Sequence, residues 1–300
     1  TPNADALLYA RGRRFSNIFL LDTDSAGNAP RTVALTSGTA LRWSPRVSPD
    51  GREVAFAQQT QGTAELFTMP IDGGTPRQVT LGARVWPATE LAWSPDGTQL
   101  AFVTSRGGRM QIWIANVNDG RLHGLTQTRV SYATGHLAWA PSHLIAYQRP
   151  NHRNIGIVDP ATGSERMLVS DSSGYFYSPL FTQDSRQLAA YVFKPPADLG
   201  VWLFGLRDTI LTRMAGPQQT VYLRGWSPDG RSIYAQPALL PTILRIAMTG
   251  GGSVVPAVQP PWRLAECSPA GASRPTSFVC AAFDFVSDVW LIDEVEQKPR

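Results

Sequence analysis

The chain has 300 residues, 43% of them hydrophobic and 17% charged, with 26 Gly and 24 Pro. That composition excludes a disordered chain and suits a turn-rich all-β protein. The net charge of +4 rests on 25 Arg and two Lys (Lys194 and Lys298), with the Arg scattered among the acids, so the concentrated basic face of a nucleic-acid binder is missing.

In chain order, residues 1–36 read as an incomplete first unit. Ala6–Ala10 and Asn17–Asp22 serve as its second and third strands and Arg31–Thr36 as its fourth. Unit two, about 44–81, has strands at Glu53–Ala57, Glu65–Met69 and Arg77–Thr80. Unit three, 91–126, is the clearest. Leu91–Ser94 is an apolar run, Pro95-Asp96-Gly97 a turn, Leu100–Thr104 a second run, Gln111–Val117 an alternating strand, Asn118-Asp119-Gly120 a turn, and Leu122–Thr126 a fourth run. Pro presets φ, Asp bonds its own backbone and Gly supplies positive φ, so four short strands joined this way make an antiparallel meander. Unit four, about 136–169, starts at His136-Leu137-Ala138-Trp139. Unit five, 178–214, has a longer loop at Lys194-Pro195-Pro196, and unit six, 223–257, contains Gly250-Gly251-Gly252. Unit seven, 263–295, ends after Asp288–Glu294 without a fourth strand.

The turn Ser-Pro-Asp-Gly recurs at Ser48, Ser94 and Ser227, with worn copies at Ala140, Thr182 and Ser268, a spacing of 41 to 46 residues. A period in the forties with four strands per unit is the signature of propeller blades. The fold class expected is therefore an all-β propeller of four-stranded antiparallel blades forming one domain over 1–300. Seven blades are expected, with six as the alternative, and an N-terminal segment could supply the missing outer strand of the last blade and close the ring.

The unit Ser-Pro-Asp-Gly, Leu-Ala-Phe, Ile-Trp, Leu-Thr resembles the TolB-type (PD40) propeller repeat and lacks the Gly-His and Trp-Asp marks of WD-type repeats. The ending Ser287-Asp288-Val289-Trp290-Leu291-Ile292-Asp293-Glu294 also resembles the C-terminal propellers of bacterial CadC-like winged-helix regulators. That resemblance implies an extracytoplasmic sensor following a DNA-binding domain and a membrane helix, neither of which this chain contains. TolB-like proteins imply binding of protein partners in the cell envelope. A periplasmic or other extracytoplasmic location is therefore expected. No run of about 18 apolar residues spans a membrane, and Thr1-Pro2-Asn3 reads as a mature or trimmed start, leaving attachment through an upstream part open.

No catalytic, metal or cofactor site is expected. Gly225-Trp226-Ser227-Pro228-Asp229 fails the last position of a nucleophile elbow, and its Ser lies in the repeated turn. Gly250-Gly251-Gly252 precedes no helix that could hold a phosphate. The turn carboxylates Asp50, Asp96 and Asp229 sit one per blade, too far apart for an acid–base pair. Four His fall in units three and four (His123, His136, His143, His152); pectin-degrading lyases of this repeat type imply a channel metal held by His from several blades, but here only His136 is expected at a channel. Cys267 and Cys280 flank one hairpin and read either as a cross-strand disulfide or as two buried apolar residues.

One constellation suggests a binding face. Before each inner strand stands an aromatic residue, usually with Arg: Arg42 and Trp43, Arg84 and Trp86, Arg129 and Tyr132, Tyr175 and Tyr177, Tyr222 and Arg224, Trp262 and Arg263, with His136 added as the channel histidine. Gathered at the channel mouth, flat rings and Arg donors would take a protein partner or a small, peptide or glycan ligand. The structural alternative is that they fill gaps between blades, as Trp93, Trp139 and Trp226 are expected to do. The expected function is a non-catalytic binding or sensing propeller, with a channel-based lyase, lactonase or cyclase, or a glycan-binding module, as alternatives.

Overall fold

The computed structural model describes residues 6–22, 31–87, 89–130, 136–194, 198–207, 211–214, 216, 219–238, 240–248, 254–258 and 265–293. They form six four-stranded antiparallel sheets. Blade two holds β3 (Arg42–Val47), β4 (Glu53–Thr60), β5 (Thr63–Pro70) and β6 (Arg77–Gln78), preceded in the chain by β1 (Ala6–Asp22) and β2 (Arg31–Ala34). Blade three holds β7 (Ala92–Trp93), β8 (Gln99–Thr104), β9 (Gln111–Asn116) and β10 (Leu122–Gly124). Blade four holds β11 (Leu137–Trp139), β12 (Ile145–Gln148), β13 (Asn154–Val158) and β14 (Glu165–Ser170). Blade five holds β15 (Tyr175–Phe181), β16 (Gln187–Lys194), β17 (Asp198–Gly205) and β18 (Leu211–Arg213). Blade six holds β19 (Val221–Trp226), β20 (Ser232–Pro237), β21 (Ile243–Ala247) and β22 (Val254–Val258), and the chain ends in β23 (Ala265–Pro269) and β24 (Phe278–Asp293).

The molecule is a propeller of six blades, the alternative count, and the seven expected from the repeat spacing are reduced by a merger. The first and last units are halves of one sheet in the order β2-β1-β24-β23. The two short strands expected in unit one, Ala6–Ala10 and Asn17–Asp22, are a single strand β1, and the expected Phe278–Asp284 and Asp288–Glu294 are, as far as Asp293, a single strand β24, Glu294 lying outside the described residues. These pair in one unbroken register from Ala6↔Asp293 to Leu21↔Phe278. β2 pairs only with Phe19–Asp22 and β23 only with Phe278–Ala282, so the far part of the β1–β24 pair runs on as a two-stranded ribbon. Pairing strands from both halves leaves no open edge between the first and last units.

The first strands β3, β7, β11, β15, β19 and β23 touch one another in succession around a closed ring, which makes them the channel wall. The core is not central. It is divided into six clusters, one at each seam between neighbouring blades. Phe56 and Met69 pack with Ile18 and Val279 between blades one and two, and Trp93 and Phe102 with Leu66 between two and three. The last seam, between blades six and one, is built on Tyr234, Phe278 and the Cys267–Cys280 disulfide. That settles the cysteine question: the two face each other across β23 and β24.

The repeated residues have repeated tasks. Ser94 Oγ donates to Asp96 Oδ1 at 2.6 Å and accepts from Gln99 N at 2.9 Å, while Asp96 Oδ1 accepts Thr98 N at 3.1 Å and Gly97 takes φ +70°. Ser48 and Ser227 do the same, and Thr182 with Asp184 reproduces it. The worn copy expected at Ser268 is displaced: Ala270 N bonds Ser277 O, the bond that Ser94 N makes to Gln99 O, so the anchor stands two residues further on. The closing Leu-Thr also has a reason. Thr36, Thr80 and Thr126 hydroxyls each accept a third-strand amide, from Ile18, Leu66 and Ile112, at 2.9–3.0 Å. Among the described residues no helix is long and apolar enough to cross a membrane.

Candidate functional site at the channel

The channel wall carries one buried ionic network to which every blade contributes. Glu90, leading into β7, is its centre. Its Oε1 accepts from Arg46 Nη2 at 2.8 Å and from Arg224 Nη1 at 2.9 Å, and its Oε2 from His136 Nδ1 at 3.1 Å. Arg224 Nη1 also lies 3.6 Å from Glu266 Oε1. Glu266 Oε2 accepts Ser44 N at 3.0 Å, and Ser178 Oγ lies 3.5 Å from His136 Nδ1. The side chains of Arg46, Glu90, His136, Arg224 and Glu266 are between 6% and 19% exposed, so the pairs sit largely out of water.

Local backbone explains how a strand turns such residues inward. β3, β15 and β19 each carry a bulge, between Trp43 and Arg46, Tyr177 and Leu180, and Leu223 and Gly225. At the first two, Ser44 and Ser178 hold φ +52° and +50°, a left-handed conformation that costs a serine of order 1–3 kcal/mol and recurs at functional sites. Ser44 Oγ donates to Thr89 O, tying β3 to the segment that delivers Glu90.

Burial would raise the Glu90 carboxyl, but the His136, Arg46 and Arg224 charges overcome it and hold it well below the usual carboxylate range. Two Arg and two Glu balance, so the network has no net charge apart from His136. Among the described residues, two buried polar atoms of the network have no hydrogen-bond partner: His136 Nε2 and Arg224 Nε. Around them stands an aromatic rim. The Tyr222 ring lies 5.3 Å from His136 and 5.5 Å from the Arg224 guanidinium. Tyr177 lies 5.6 Å from His152, and burial together with Tyr222 and Tyr175 pushes its phenol upward. Burial and the His136 charge push the His152 imidazole down.

The expected binding face is thus split. His136, Tyr175, Tyr177, Tyr222 and Arg224 gather on blades four to six. Arg42 is buried in the seam between blades one and two, its Nε on Gln58 Oε1 and its Nη1 on Asn17 Oδ1, both at 2.7 Å, and burial lowers its pKa. Trp43 is buried in the seam between blades two and three, beside Trp93. Arg84, Trp86 and Arg129 are exposed on the surface. Tyr132, Trp262 and Arg263, like the Gly250–Gly252 turn, lie outside the described residues. Sequence reasoning missed Arg46, Glu90, Glu266, Ser44 and Ser178. The available signal was a lone carboxylate heading an apolar inner strand, as in Glu90-Leu91-Ala92-Trp93 and Ala265-Glu266-Cys267.

Ser178 and Glu90 approach the same nitrogen of His136, whereas a nucleophile–base–carboxylate relay needs them on opposite nitrogens. Glu90 and Glu266 converge on Arg224 Nη1, and Glu90 is shifted away from the protonated form that a general acid needs. Among the described residues no three His, Cys, Asp or Glu side chains are grouped to hold a metal.

Closed ring, four-stranded blades and repeated Ser-Pro-Asp-Gly turns define a TolB-like propeller. The chain matches the TolB beta propeller domain family (PD40) over residues 2–175 and belongs to it. A putative TolB from Agrobacterium tumefaciens superposes with a TM-score of 0.69 at 18% identity, covering 90% of this chain and 99% of that one. An oligogalacturonate lyase from Vibrio parahaemolyticus superposes with a TM-score of 0.57 at 11% identity, covering 93% and 98%. Such identities show shared fold alone. In sequence, a Bacillus subtilis protein named uncharacterized peptidase YuxL is 38% identical over 66 residues, which is 22% of this chain and 9% of that protein's length.

Proposed function

We propose that this chain is a non-catalytic binding propeller that takes a protein partner or ligand at the channel mouth, over His136, Tyr177, Tyr222 and Arg224. The observation carrying this reading is the network itself. Its charges are spent on one another, while His136 Nε2 and Arg224 Nε are left unpaired beneath aromatic rings. Such a surface offers flat apolar contact from the rings, and the two unpaired atoms, buried beneath them, are directional positions that a ligand reaches by displacing a ring.

The place of action we assign is the bacterial envelope, outside the cytoplasm. A disulfide within the sheet that closes the ring fits an oxidising compartment. The TolB-like repeat and the CadC-like ending support a recognition or sensing role there, including that of the extracytoplasmic part of a transmembrane regulator.

The test is capture of envelope proteins by the purified chain and by a Tyr177→Ala, Tyr222→Ala variant of unchanged melting temperature. Loss of the captured set in the variant supports the reading; an unchanged set sinks it. Turnover of a polysaccharide or lactone that disappears with His136→Ala would replace it with the enzymatic alternative.

A further inference from the structure

A second site lies away from the channel network, between blades four and five. A cavity of about 180 Å³ opens beside the end of β14 and the start of β15. Phe176, Val192 and Phe204 form its buried floor, with Phe176 and Phe204 edge to face at 5.9 Å. Val169 and the half-buried Trp202 are its walls. At the rim, Lys194 Nζ bonds Asp171 Oδ2 at 2.8 Å and lies 5.2 Å from the Trp202 ring centroid.

These charges are held in place. Asp171 Oδ1 accepts Ser173 N at 2.8 Å and Ser173 Oγ at 2.6 Å, and Arg153 donates to Ser172 O, so the loop carrying the carboxylate is pinned from both sides. Gly174 makes room for the lysine stem: a Cβ there would stand 3.0 Å from Lys194 Cγ. Lys194 is the one lysine among the described residues, in a chain with 25 Arg and two Lys.

We propose that this cleft binds a free α-amino acid with a large apolar side chain. The side chain fills the apolar floor, whose size compares with the roughly 150 Å³ dry cavity that accepts a benzene ring. The carboxylate meets Lys194. The ammonium meets Asp171. The Lys194–Asp171 pair opens to admit the zwitterion, and two ion pairs with the ligand take the place of the single pair between the side chains. A plain acid would leave Asp171 facing its carboxylate, and a plain amine would leave Lys194 facing its ammonium, so each lacks half of the match.

The experiment is calorimetric and saturation-transfer NMR titration of the full chain with L-phenylalanine, 3-phenylpropanoate and phenethylamine. Saturable binding of phenylalanine is expected, with a dissociation constant on the order of 1 mM or tighter and the acid and amine weaker by about tenfold or more. Lys194→Met and Asp171→Asn should each reduce phenylalanine binding about tenfold. Val169→Trp, at an edge strand, should block the cleft. Absence of saturable phenylalanine binding to the wild type overturns the proposal, as does equal binding of all three probes. So does binding that survives Val169→Trp. Because the wild-type titration alone can overturn it, a variant that fails to fold does not shield the idea, and circular dichroism separates that case.

Discussion

Two arginines and a histidine share the Glu90 carboxylate, so neutralising that one residue leaves Arg46 and Arg224 buried, with Glu266 3.6 Å from Arg224 as the remaining carboxylate of the network. Breaking a buried pair from one side costs about 3–5 kcal/mol. Glu90→Gln should lower the unfolding free energy measured in urea by that amount, while Arg84→Ala, on the exposed surface, should leave it unchanged. A second prediction concerns acid. Serine or threonine hydroxyls and the following amides hold Asp50, Asp96, Asp184 and Asp229 below the usual carboxylate range. A depressed folded value adds stability above the ordinary pKa of about 4 and loses it as pH falls through the folded one. The melting temperature should therefore fall on acidification below about pH 4, and Asp→Asn at these four turns should flatten that fall. At this scale the sequence was half legible. The turn residues announced themselves through repetition. Glu90 and Glu266 did not, because each occurs once and what gives them a role is Arg224, far from Glu90 in the chain.

Single elements carry constraints that spacing cannot show. Gly156 on β13 lies against the Tyr147 ring of β12, where a Cβ would come 2.5 Å from Tyr147 Cζ. The ring cannot retreat, since its hydroxyl bonds Glu165 Oε2 at 2.7 Å and lies 3.1 Å from Thr128 Oγ1, and the phenol is pushed up to about 12 by burial. Gly156→Ala should cost about 1–3 kcal/mol through overpacking, and Tyr147→Leu in the same chain should recover part of it. Chemical denaturation of both variants checks this. The inner-strand tryptophans behave as expected from the repeat: Trp93, Trp139 and Trp226 pack into seams, and Trp93 Nε1 bonds Arg46 O at 3.0 Å. What the pattern could not show is the bulge at Ser44 or Ser178, because a serine gives no sign that its backbone will turn left-handed.

For the whole molecule, the blade count was the point at which periodicity misled. Two half units, one at each end, look like two defective blades; only the Ala6↔Asp293 to Leu21↔Phe278 register reveals them as one. The disulfide sits in that shared blade but links β23 to β24, both from the C-terminal half, across a separation of 13 residues. Its removal should cost about 3 kcal/mol through the unfolded chain. The Cys267→Ala, Cys280→Ala variant should melt earlier yet keep a closed ring, with unchanged small-angle scattering.

The long β1–β24 ribbon places Ala6 directly opposite Asp293, so both strands emerge side by side. A tether pulling on those two ends would load the ladder one pair at a time, as a zipper is opened, rather than shearing all its hydrogen bonds together. The ring would then yield first at its own clasp, at low tension, while the seams of blades two to six remained unloaded. In a propeller built this way the β1–β24 ladder is the expected place of first mechanical opening.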